Sequence, residues 1–256
     1  MASGVSDGVE AIERISRECF RSFRTLPNAR LIDDGRVFGV VTEVPINFFS
    51  GIPMSVIAEE DVPDVIASMG PGLFRWWLSP STRPVNLAEI LASRGLQHTY
   101  DSAGMAIDLH APLELTMPEG FTVRRVTDLT DWERVFVEGF RRSEHERGVW
   151  QSTYAQCDDV WVHFVGDLDG VPVATTSLLL CGELVGVYHV VTLPQARGRG
   201  IGRAITTVAL QYAQEHGATQ GALQASEMGH SVYRAIGFVD CCPLTLYSRA
   251  SSSATA

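Results

Sequence analysis

The sequence predicts an α/β (α+β) fold, a mixed central sheet with helices alternating between its strands, and three observations lead there. Glu183 to Thr192 is a run rich in β-branched residues, followed by a turn with glycine at 198, 200 and 202. Beyond it Ile201, Ala204, Ile205, Val208, Ala209, Tyr212 and Ala213 recur at helical spacing, so a strand feeds a helix through a glycine turn. From Phe121 onward, strand-like and helix-like runs follow one another in the order β-α-α-β-β-β-α-β-α-β.

Taken in order, residues 1 to about 8 are small and polar and are expected to be disordered, as is the tail from Ser251 to Ala256. Val9 to Phe23 reads as a helix with Ile12, Ile15, Cys19 and Phe23 inward. Val37 to Pro45 is a strand, Val56 to Ala58 a further short one, and Glu60 to Met69 a short helix. Phe74 to Leu78 is a strand, Val85 to Ser93 a helix stopped by Gly95, and Gln97 to Leu109 one more strand. Punctuation between His110 and Gly120 divides a first half, 9–112, from a second, 119–250.

In the second half Phe121 to Val126 is a strand, Asp131 to Phe140 a helix, and Ser152 to Ala155 a short helix. Val160 to Val165 and Val171 to Leu180 flank Asp167-Leu168-Asp169-Gly170, a hairpin signal. Past the central helix come a strand, Gly221 to Ala225, a helix, Met228 to Ile236, and a final strand, Phe238 to Tyr247. The halves rhyme at their ends. Leu91-Ala92-Ser93-Arg94-Gly95-Leu96 parallels Tyr233-Arg234-Ala235-Ile236-Gly237-Phe238, each ahead of a strand, which suggests a tandem repeat.

The 256 residues suffice for one large domain or two ordinary ones, and 45% hydrophobic content supplies a core. A formal net charge of -10 argues against non-specific nucleic-acid binding and fits a cationic substrate. Five cysteines with no C-x-x-C pair and no Cys/His metal spacing read as reduced thiols, with no metal site. Met1-Ala2-Ser3-Gly4 lacks a basic region leading into an apolar one, and no apolar run approaches a membrane span. A cytoplasmic protein, monomeric or homodimeric, is expected.

The glycine turn has its own chemistry. Glycines let backbone approach a ligand closely, and the first-turn N–H groups of the following helix point outward, unpaired and positively polarised. Such a site suits phosphate, and Arg197, Arg199 and Arg203 add charge there. A plain turn into a helix would use the same residues. Two common phosphate loops are excluded, because a dinucleotide fingerprint needs glycine where Arg203 stands, and no Gly-Lys-Ser/Thr follows for a P-loop.

Gln195-Ala196-Arg197-Gly198-Arg199-Gly200 resembles the pyrophosphate-binding motif of the GCN5-related N-acetyltransferases, Gln/Arg-x-x-Gly-x-Gly/Ala, at every fixed place. The resemblance covers about Gly120 to Arg249, and the element order there is the family's. It implies acetyl-coenzyme A as cosubstrate, held by the loop backbone from Gln195 through Ile201 and Gly202 to Arg203, with backbone amides of Val190, Val191 and Thr192 on the thioester carbonyl. It also implies a catalytic tyrosine four residues before a Gly-Phe pair, which Tyr233 matches, and Ser226 on the pantetheine arm. Packing into the core and a plain helix cap are the ordinary alternatives for these two.

The base is less defined. Glu183 opens the strand where some family members carry a catalytic glutamate, and His189 lies on the same face if the strand is regular; a bulge would break that parity. Capping of a hairpin and a structural histidine are the alternatives. Glu144 and His145 are expected in an anionic acceptor site, and Asn47, Phe48, Phe49 and the Trp76-Trp77 pair near it, unless these aromatics are core.

The first copy has only Gly70-Pro71-Gly72 in place of the loop and Leu91 in place of Tyr233, so it is expected to bind no coenzyme and to cover the acceptor site; an unrelated cap domain is the alternative. The functional expectation is acetyl transfer to a primary amine of a small molecule or peptide. Transfer of another acyl group, or a sensor that binds the coenzyme without catalysis, stays open.

Overall fold

A computed structural model describes residues 2–34, 37–157 and 159–249. The first half runs α1 (Ala2–Arg21), β1 (Arg30–Asp33), β2 (Phe38–Val41), β3 (Gly51–Ile52), α2 (Val62–Ser68), β4 (Arg75–Leu78), α3 (Leu87–Ser93) and β5 (Gln97–Asp108). The second runs β6 (Phe121–Val126), α4 (Thr130–Gly139), α5 (Val149–Tyr154), β7 (Trp161–Leu168), β8 (Val171–Cys181), β9 (Leu184–Thr192), α6 (Ile201–Glu215), β10 (Gln220–Ala225), α7 (Glu227–Ile236) and β11 (Val239–Ser248). That is the β-α-α-β-β-β-α-β-α-β order read from the sequence.

The chain forms two compact units. One joins residues up to Ile15 to Gly104–Cys241, and the other joins Ser16–Ala103 to the residues from Cys242 on. In the first unit the strands lie in the order β5-β10-β9-β8-β7-β6, and in the second β1-β2-β3-β4-β11-β5.

Within the first unit β6 to β9 form an antiparallel meander, and β10 joins β9 in parallel. Ile201, Ala204 and Ile205 of α6 pack on Phe121, Val173 and Ala174 across one face. Val135 of α4 meets Val191 and Leu193 across the other. Gly139 lets the end of α4 close down on β9, since a Cβ there would stand 2.7 Å from Val191 Cγ1.

The second unit has its own core, in which Ile52, Val62, Val65, Phe74, Trp76, Leu87 and Leu91 are buried together. The first half repeats the second. An α-β-β-β-α-β-α-β order occurs in both, and in both two antiparallel pairings precede a parallel one. The ends of α3 and α7 match in detail: Leu96 N–H donates to Leu91 O at 3.0 Å, Phe238 N–H to Tyr233 O at 3.1 Å, and Gly95 and Gly237 both have positive φ.

Some expectations need correction. The N-terminal helix starts at Ala2, not Val9, and Gly8 is buried in it because a Cβ would stand 2.4 Å from Cys241 Sγ; tertiary packing overrides weak local propensity. Val56–Ala58 is not a strand and makes a single bridge, Val56 to Arg83. The strand expected over 37–45 is confined to Phe38–Val41, and β1 and β3 were not anticipated. The tail from Ser251 lies outside the described residues. No described helix is long and apolar enough to cross a membrane, and the five cysteines are unbridged.

Candidate active site

The site grows from a break in the sheet. The parallel ladder between β9 and β10 runs from Leu184 opposite Gln220 to Val187 opposite Leu223 and stops there, although β9 continues to Thr192. On its other edge β9 stays paired with β8, but the register shifts so that His189 and Val190 oppose Thr176 alone. This is a β-bulge, and His189 carries its left-handed conformation at φ 55°. The bulged strand turns away from β10.

Into this opening runs a cavity of about 540 Å³. Val190, Val191 and Thr192 form one wall, Gly139 and Phe140 another, the turn from Ala196 to Arg203 a third, and Ser226 to Ala235 of α7 the fourth. Tyr233 is the only buried residue of α7, so the helix presents Met228 and Val232 to the cavity instead of to protein. A ligand with an apolar arm would complete that packing.

The glycine turn has the geometry of an anion site. Gly198 and Gly200 have φ of 76° and 78°, a region that L side chains rarely adopt, and Gly200 caps α6 with no side chain. The first intrahelical bond is Ala204 N–H to Gly200 O at 3.0 Å, leaving the N–H groups of Ile201, Gly202 and Arg203 for other partners. A Cβ on Gly202 would meet only Thr192 Oγ1 at 3.5 Å and Val232 Cγ1 at 3.9 Å. Arg203 Nε is buried without a hydrogen bond among the described residues. Arg197 instead donates through Nε to Thr192 O at 2.9 Å and fixes the turn, while Gln195 and Arg199 are exposed and do not line the cavity.

Tyr233 borders the cavity. It is buried against Phe238 at 5.8 Å, and burial pushes its phenol pKa well above the usual value. Its hydroxyl has no hydrogen bond among the described residues. The hydroxyl stays open to the cavity, where a ligand group can meet it. Ser226 caps α7, accepting from Gly229 N–H at 3.3 Å, and also borders the cavity.

Other sequence-predicted residues lie elsewhere. Glu183 is exposed on the hairpin before β9, nine residues or roughly 30 Å from Thr192, so it is not brought to the cavity. His189 turns its ring into an aromatic cluster instead of lining the cavity, with Nε2 2.5 Å from Tyr154 Oη. Glu144 and His145 are exposed, and Glu144 pairs with Arg147 of its own segment. In the second unit Asn47 Oδ1 accepts from Arg75 Nε at 3.1 Å, Phe48 lies against Arg75, Phe23 and Phe49, and Trp76 and Trp77 are buried.

Sequence reasoning missed two residues, Gly139 and Tyr154. A second cavity, of about 490 Å³, lies between the ends of β6 and β7 and α5, and Tyr154, Trp161 and His163 are among its walls. The first copy differs at the matching connection. Its connection from β3 to α2 is not Gly70-Pro71-Gly72, which follows α2, but 53–61, which ends in Glu59, Glu60 and Asp61. Three carboxylates at a helix N-terminus repel phosphate.

Residues 127–238 match the Acetyltransferase (GNAT) family. The matched segment lies in the C-terminal half, and the members of that family are acyltransferases. It is similar in fold to a GCN5-related N-acetyltransferase from Kribbella flavida, at 20% identity and a TM-score of 0.71 over 93% of this chain and 95% of the other. A GCN5-related N-acetyltransferase from Sphaerobacter thermophilus matches at 18% identity and 0.58, over 93% and 91%. A tandem GNAT protein from the clavulanic acid biosynthesis pathway matches at 14% and 0.57, over 93% and 86%. No curated protein matches the sequence.

Proposed function

We propose that this chain is an N-acetyltransferase that moves the acetyl group of acetyl-coenzyme A to a primary amine of a small-molecule acceptor by direct attack. The observation that carries the reading is the unpartnered Tyr233 hydroxyl in a cavity that also holds the open glycine turn and the unpaired edge of β9. The turn amides and Arg203 would hold the pyrophosphate, and the apolar side of α7 the pantetheine arm.

The chemistry follows from what each group can supply. Backbone donors of β9 beside the cavity, between Val190 and Thr192, would polarise the thioester carbonyl. The amine nitrogen bonds to the carbonyl carbon, the carbon–sulfur bond breaks, and the thiolate takes the Tyr233 proton. The ammonium proton leaves to solvent. An overall charge of -10 favours the approach of cationic acceptors.

Calorimetric titration with acetyl-coenzyme A, followed by thiol release with polyamines, amino acids, aminoglycosides and peptides, tests the reading. Binding with thiol release is expected. Binding without release to any amine would favour a sensor, faster release from propionyl or succinyl thioesters would change the acyl group, and no binding would overturn the reading.

A further inference from the structure

His189 is held from outside its own strand, twice. Thr175 Oγ1 donates to its carbonyl oxygen at 2.8 Å, and Tyr154, at the end of α5, meets its Nε2 at 2.5 Å. The imidazole is packed by Phe136 at 4.9 Å, Trp132 at 5.5 Å and Trp150 at 5.6 Å. A left-handed conformation costs a residue other than glycine free energy, and it persists only where the surroundings over-determine it. Here the surroundings are a threonine on β8, a tyrosine on α5 and three rings.

The two residues after His189, Val190 and Val191, line the cavity. Their direction is set by the torsions of the bulge, because an extended His189 would return β9 to regular alternation. We propose that Tyr154 is a positioning residue: through the His189 imidazole it holds the bulge in the shape that sets the backbone of Val190 and Val191 along the cavity for the thioester. The inference rests on the acetyl-transfer reading above for its catalytic consequence. It assigns His189 to geometry, not to removal of the amine proton.

The test uses Tyr154→Phe, His189→Asn and the double variant of the full chain. Asparagine tolerates the left-handed region, so the bulge can still form without its pin. In ligand-free Tyr154→Phe protein, amide order parameters of Val190 and Val191 should fall from about 0.85 to below about 0.6 while the rest of β9 stays rigid. Turnover should drop about tenfold at unchanged acetyl-coenzyme A affinity, the double variant should be no slower than the slower single one, and the acid limb of the pH–rate profile should persist in His189→Asn. Rigid Val190 and Val191 amides in Tyr154→Phe would overturn the proposal. So would loss of the acid limb in His189→Asn with normal turnover in Tyr154→Phe. Falling order parameters in a protein whose parent releases no thiol would leave the pin standing and remove the transferase reading alone.

Discussion

Val187 and Leu223 form the last rung between β9 and β10. Beyond them β9 runs on to Thr192 with one edge paired to β8 and the other edge turned to a cavity. The donors of that edge and those of the first turn of α6 therefore meet around one space.

Gly202 separates the demands of fold and ligand. It sits inside α6 with helical backbone and only ordinary contacts for an added methyl, so Gly202→Ala should raise stability by up to about 1 kcal/mol, or a few degrees in Tm. The same methyl would stand in the phosphate approach and should weaken acetyl-coenzyme A binding about tenfold. Thermal melts and calorimetry on one preparation check both signs. Unchanged affinity would move the pyrophosphate away from the turn.

Tyr233→Phe removes a hydroxyl that no described protein group uses, so stability at neutral pH should stay within about 0.5 kcal/mol. Turnover should fall at least a hundredfold, as expected for a lost general acid, with donor affinity unchanged. Because burial raises the phenol pKa, Tyr233 keeps its proton above pH 10 while the unfolded chain loses its own. Its stability contribution is thus whole below pH 10 and is lost as pH rises further, and the variant should show a shallower alkaline decline in stability. Equal turnover in both proteins would take Tyr233 out of the mechanism.

Residue patterns made the second half legible. The hairpin through Asp169-Gly170 and the caps at Gly217 and Gly237 bound its strands and helices to within a few residues. Short strands were not legible: β3 has two residues, and only pairing with β2 and β4 makes it a strand. The parity argument that put Glu183 beside His189 concerned a face, not an end, and Glu183 lies at the far end of the strand. Tyr154 meets His189 across 35 residues of sequence, which no local period reports. A signal was present nonetheless, since Trp132 and Phe136, and Trp150 and Tyr154, are aromatic pairs at i,i+4.

Glu133 is buried in α4, and its carboxylate accepts from Gly148 N–H at 2.8 Å and Gln151 N–H at 3.2 Å, the opening of α5. It satisfies amides that a helix start leaves unpaired, at the positively polarised end. Glu133→Gln replaces one acceptor oxygen with a donor facing another donor, and should cost about 1–3 kcal/mol in urea unfolding. The exposed Glu138→Gln on the same helix should change less than about 0.5 kcal/mol. Since α5 carries Tyr154, Glu133→Gln should also loosen the Tyr154–His189 contact.

His163 predicts how the fold responds to acid. It is buried on β7 with Nδ1 2.8 Å from Ser177 Oγ, and burial lowers its pKa to about 3. The folded chain therefore keeps a neutral imidazole while the unfolded chain takes up a proton below about pH 6.5. The stability it contributes is present above pH 6.5 and is lost as pH falls toward 3. From pH 6.5 to 4.5 one such proton amounts to about 2–3 kcal/mol. His163→Gln retains a hydrogen-bonding group for Ser177 and has nothing to titrate, so its urea stability should fall by that much less than the parent's over the same interval. Parallel pH profiles for the two proteins would show that His163 is protonated, or reached by water, in the folded state.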